Sequence, residues 1–90
     1  MSTETVRVLA ANEIVKVIAE LYEAFWKGMH RVMPRARVVY LNRGKPVAVI
    51  GSVSTVRIPK HHGEAYFCLT YPGGMVGFDP ASPLVSVEQL

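Results

Sequence analysis

Ninety residues, half of them hydrophobic and carrying a net charge of +3, describe one domain (1–90) with a real core, not a disordered segment. A single cysteine, Cys68, excludes an internal disulfide and a cysteine-cluster zinc site. No run approaches the roughly 18 consecutive apolar residues that a membrane helix needs, so no membrane partner is expected.

The polar start M-S-T-E-T-V-R lacks a basic region followed by an apolar one, which points to a cytoplasmic protein. Two asparagines, one glutamine and one cysteine stand against fourteen valines and six prolines. Depletion of thermolabile residues fits a thermophilic, archaeal source, although the Lys/Glu enrichment that usually goes with it is missing.

Thr5–Leu9 reads as a short first strand or an extended lead-in. Asn12 is a good N-cap for the helix that follows, with Glu13 placed well against the helix dipole. Glu13, Lys16, Glu20, Glu23 and Lys27 recur at spacings of three and four and form one polar stripe, with Lys16–Glu20 and Glu23–Lys27 as i,i+4 pairs. The rest of the pattern is apolar from Ile14 to Val32, and Pro34 sets its outer limit, so the helix is expected over about 12–32. Its apolar arc is wider than the roughly 100° a surface helix needs. The excess, which includes Trp26 and Met29, calls for a partner chain, and a homodimer is the expected form.

Strands follow over about 35–78. R35-A-R-V-V-Y-L41 and the long V47–I58 run are rich in valine and isoleucine, and Gly51 marks a bulge or bend in the second. P59-K-H-H-G63 is a loop. E64–Y71 is a third strand, Y71-P-G-G74 suits a type II turn, and M75-V-G-F78 returns as a fourth. D79-P-A-S-P83 breaks the chain before L84–L90, which reads as an edge strand or a tail. The outline is α+β: one long N-terminal helix packed on an antiparallel meander sheet of four to five strands.

Charge is unevenly divided along this outline. Residues 1–23 set Arg7 and Lys16 against Glu4, Glu13, Glu20 and Glu23, a net −2. Residues 64–90 carry Glu64, Asp79 and Glu88 with no cation, a net −3. Residues 24–63 hold Lys27, Arg31, Arg35, Arg37, Arg43, Lys45, Arg57 and Lys60 with no acid, a net +8. That span is the footprint expected for a phosphate-rich ligand. Arg31, Arg35, Arg37, Arg43, Lys45, Arg57 and Lys60 are therefore the candidate phosphate contacts, with Tyr40 and Tyr66 as stacking platforms for unpaired bases. The competing reading scatters these cations over a solvated surface, paired with acids such as the helix glutamates.

The string R43-G-K-P-V-A-V-I50 resembles the strand–turn–strand of the Phd/YefM-type antitoxins, which often read R-R-G-K-P-V-A-V-L. The resemblance covers about ten residues. It implies a dimer that binds operator DNA, an antitoxin-like transcriptional repressor. The chain departs from that family in a longer segment before the hairpin and in strands where the family carries a helix.

Catalytic and metallic signals are weak. His61 and His62 are adjacent, so an extended chain points them to opposite sides and one ion would rarely take both. Cys68, between Phe67 and Leu69, reads as a small buried hydrophobe. No nucleophile elbow, P-loop, dinucleotide fingerprint or carboxylate pair is present. The expectation is a non-enzymatic nucleic-acid-binding protein with no metal, cofactor or small-molecule substrate. The alternative is a structural or adaptor subunit that docks its wide apolar helix on another protein.

Overall fold

The structure is a computed structural model that describes residues 7–27, 33–58 and 65–90. Arg31 and Lys60 lie outside the described residues, as do His30, His61, His62 and the expected last turn of the helix.

Helix α1 spans Ala11–Lys27. The Ile14 N–H donates to the Ala10 carbonyl at 3.0 Å, which makes Ala10 the capping residue and places Asn12 inside the first turn instead of at its start. Alanine has no side-chain acceptor. Glu13 supplies the cap from within, its Oε1 accepting the Ala10 N–H at 3.1 Å, the carboxylate half of a capping box. Glu13 also pairs with Arg7 at 3.2 Å. Glu23 and Lys27 form the expected i,i+4 pair at 2.8 Å, whereas Lys16 and Glu20 do not meet within ion-pair distance.

Ile14, Ile18 and Leu21 are fully buried on one face of α1. Val15, Tyr22 and Trp26 face away from it and stay 44%, 36% and 48% exposed. Ala19 is exposed in the same row, so the width of the apolar arc is real and the excess lies in solvent. Ahead of the helix, the extended lead-in docks through the Leu9 N–H, which donates to the Leu84 carbonyl at 2.7 Å.

Five antiparallel strands follow: β1 Arg35–Asn42, β2 Lys45–Arg57, β3 Tyr66–Tyr71, β4 Gly74–Phe78 and β5 Leu84–Gln89. Their order is β4-β3-β2-β1-β5. The first four form a meander, and the last crosses to the free side of β1. The β1–β2 hairpin closes through Arg43 and Gly44 with φ of 54° and 80°, the two left-handed positions of a type I′ turn. In the β3–β4 turn the positive φ falls on Gly74, not on Gly73 as a type II turn requires. A Cβ at Gly73 would stand 2.9 Å from the edge of the Tyr71 ring, a side chain that can swing aside.

The sheet is sharply bent. Tyr40 lies opposite Val47, and Phe78 lies opposite Phe67, which lies opposite Val56. Along a straight β2, Val47 and Val56 would be about 30 Å apart. Yet the Tyr40 and Phe78 rings meet at 5.2 Å, so β2 must fold the β1–β2 half of the sheet toward the β3–β4 half. Two features of β2 serve the bend. At Gly51 a Cβ would lie 2.5 Å from the Thr70 carbonyl oxygen, so only glycine lets β3 approach. A register shift between Val53 and Thr55 inserts one extra residue, a β-bulge.

The concave side is filled by α1. Ile14, Ile18 and Leu21 pack there with Ala36, Val38, Val53, Phe67, Leu69, Phe78 and Leu84. Among the described residues no helix is long and apolar enough to cross a membrane.

Candidate polyanion-binding face

Cross-strand partners share a side of the sheet, so the registers sort each side chain. Ala36, Val38 and Tyr40 of β1 face the helix, with Val53 and Val56 of β2 and Phe67 and Leu69 of β3. The other, convex side carries Arg35 opposite Ser52, Arg37 opposite Ile50, and Arg57 opposite Tyr66. Arg43 and Lys45 sit at the hairpin tip, both exposed. Among the described residues no helix covers the convex side.

The electrostatics of this side are unbalanced. Among the described residues the ion pairs are Arg7–Glu13 and Lys27–Glu23. Arg35, Arg37, Arg43, Lys45 and Arg57 take part in neither. The helix glutamates that could have neutralised them lie across the sheet. Glu88 is directly opposite Arg37 in the β1–β5 register, without an ion pair between them. The lowered pKa of the Glu23 carboxyl has its cause on the helix, where it accepts a hydrogen bond from Lys27 and feels its charge.

Between Arg37 and the tip the convex side turns aliphatic. Val39, Leu41 and Ile50 occupy it with Ala48, and Ile50 is 45% exposed. Two cation groups thus flank a neutral stretch. Ser52 and Thr70 continue the row from Arg35 across β2 and β3. Such hydroxyls are ordinary phosphate partners, and the sequence reading passed them over. Their signal was their phase, out of step with the inward valines.

The aromatic candidates separate. Tyr66 is on the convex side, with the Arg57 guanidinium 5.1 Å from its ring centroid. Tyr40 is on the concave side, half-buried against Phe78, and is not brought together with the arginines. Cys68 is half-buried rather than in the core, because its neighbours Phe67 and Leu69 take the inward positions.

On the helix side, a shallow depression of about 270 Å³ is lined by Glu20, Glu23, Ala24, Lys27 and Gln89. Its two carboxylates give it the wrong sign for a phosphate.

No family model, curated protein or solved structure matches this chain. The functional reading therefore rests on its own residues. Among those described, no group of three or more His, Cys, Asp or Glu side chains is placed to hold a metal ion.

Proposed function

We propose that this chain is a small, non-enzymatic, cytoplasmic nucleic-acid-binding protein that acts as a homodimer through a cationic sheet face and hairpin tip. One observation carries the reading. Among the described residues, Arg35, Arg37, Arg43, Lys45 and Arg57 lie on the convex side or tip of one hairpin unit and form no ion pair, and the acidic helix is on the other side of the sheet. Cations held apart from acids within one chain are left free for phosphates, and each such contact releases counterions.

The test is the mobility of labelled oligonucleotides across a salt series. Affinity is expected to fall as salt rises, with a slope that flattens by about 1 for each cation removed, equally for unrelated sequences. Absence of binding at about 50 mM salt, where electrostatic association is strong, would overturn the reading.

The dimer rests on α1. Val15, Ala19, Tyr22 and Trp26 recur at helical spacing on the solvent side, with Lys16 and Glu23 along one flank. In an antiparallel pairing of two copies, Lys16 of one lies beside Glu23 of the other, twice by symmetry. Sedimentation is expected to show a dimer that Trp26→Glu dissociates. A stable wild-type monomer at micromolar concentration would remove it.

The same stripe supports the second reading, a structural or adaptor subunit that docks this helix on another protein. An antitoxin-like repressor draws on the hairpin string alone, since β3–β5 follow where that family carries a helix.

A further inference from the structure

We infer that the free edge of β4 is a pairing surface for a second copy of this chain, strand against strand. This contact is separate from the cationic side of the sheet and from the exposed stripe of α1. β4 is the last strand of the sheet, so β3 takes one side of its backbone, and among the described residues no strand takes the other.

Native proteins guard such edges with charge, with proline or by covering them. The sheet's other free edges are guarded. On β5 the lead-in begins a cover, the Leu9 N–H donating to the Leu84 carbonyl at 2.7 Å, and Glu88 charges the strand. On β2 the stretch before Ser52 has no β3 beside it, and there Lys45 and Pro46 stand. β4 has none of these devices. Gly74–Phe78 reads G-M-V-G-F, 5 residues without a charge or a proline, and Met75 is 66% exposed.

Strand phase identifies the free backbone groups. Tyr71 and Gly74 close a two-residue turn, so they exchange both of their backbone bonds. Alternation then makes Leu69–Val76 and Phe67–Phe78 the bonded pairs, and it turns the N–H and C=O of Met75 and Gly77 outward.

Two copies placed antiparallel about a two-fold axis at Val76 satisfy those groups. Met75 of each copy then lies opposite Gly77 of the other, and the pair exchanges both bonds. A two-fold at Met75 would instead set methionine against methionine and Gly77 against the turn. The side chains fit the Val76 axis. Met75 and Gly77 share the convex side with Thr70 and Cys68, so an exposed methionine meets a residue without a side chain. A Cβ at Gly77 would stand 3.3 Å from the Cys68 Sγ, and the other copy's methionine crosses the space that glycine leaves. Asp79 follows Phe78 and falls at opposite ends of the pair, so the acids do not meet. The axis is perpendicular to the sheet, which leaves α1 of each copy clear of the contact.

Stable complexes bury about 800 Å² per partner, more than a strand of 5 residues offers, so pairing is expected at high concentration with a Kd of about 1 mM.

The test is hydrogen exchange of the full chain carrying Trp26→Glu, which separates the edge from the helix contact. At about 1 mM the Met75 and Gly77 amides should exchange at least about twofold more slowly than at about 10 µM, with β1 amides unchanged. Met75→Lys, at an exposed position, sets two ammonium groups beside each other across the axis and should abolish the difference. Met75→Leu should retain it. Equal, fast exchange at both concentrations overturns the pairing. Equal, slow exchange at both means that the same chain covers the edge, and overturns it too. So does a difference that survives Met75→Lys.

Discussion

The Arg57 guanidinium carbon stands 5.1 Å from the centroid of the Tyr66 ring, directly across the β2–β3 pair. The ring holds a cation that forms no ion pair among the described residues. Such contacts contribute about 0.5–1 kcal/mol when exposed. Tyr66→Ala should lower stability by about that amount and leave oligonucleotide affinity within about twofold, whereas Arg57→Ala should weaken binding and flatten its salt slope by about 0.9. Paired urea melts and binding isotherms check both halves. A large loss of affinity for single strands in Tyr66→Ala would mean that the ring stacks on bases.

Tyr40 behaves differently because it faces the core. Its ring meets Phe78 edge-on at 5.2 Å in the angle of the bent sheet. Tyr40→Ala should cost about 2–3 kcal/mol of stability, from lost burial and the lost aromatic pair. Tyr40→Phe should be nearly neutral. Denaturant midpoints for the two variants measure the difference, and binding by the still-folded Tyr40→Phe should match wild type.

Gly51→Ala tests the bend. The added Cβ would fall 2.5 Å from the Thr70 carbonyl oxygen, a backbone atom that moves only with β3. Overpacking of this kind costs about 1–3 kcal/mol. A lower urea midpoint is expected, with hydrogen exchange accelerated first in the β2–β3 pair.

The pH dependence of the helix follows from Glu23. The Lys27 hydrogen bond and charge hold its carboxyl below the ordinary carboxylate value. A depressed folded pKa contributes stability above the unfolded pKa, and that contribution is lost as pH falls through the folded value. The exposed position of the pair keeps the effect small. Titration followed by carboxyl NMR shifts should give a Glu23 midpoint that rises in Lys27→Met.

Much of the fold was legible in the sequence because it rests on periodicity. The 3.6-residue pattern from Ile14 onward marked a helix, and the valine-rich runs after Pro34 marked strands. Asn-Arg-Gly-Lys marked a hairpin turn, and β1 and β2 do close there through two left-handed residues. What escaped was tertiary. Asn12 has the better capping chemistry, yet Glu13 caps Ala10 from inside the first turn. Gly73 looked like a type II glycine, yet the positive φ falls on Gly74. The candidate cations were legible as a charge block, but which side of the sheet each would take depended on strand phase. The phase separated Tyr40 from Tyr66 and drew Ser52 and Thr70 into the row with Arg35.

The extra residue in β2 also governs how this chain can change length. Before the bulge, Val53 points inward; after it, Val56 does, and Arg57 points outward. Deleting Ser54, the one residue between Val53 and Thr55, would restore simple alternation and keep Thr55, Val56 and Arg57 opposite Cys68, Phe67 and Tyr66, with Arg57 still outward. Closing the bulge with Ser54 kept would instead turn Arg57 toward the helix and set a guanidinium among Phe67 and Leu69. The strand therefore has a reading frame of its own: the bulge absorbs one residue, and without it every later side chain of β2 would exchange the wet side of the sheet for the dry one.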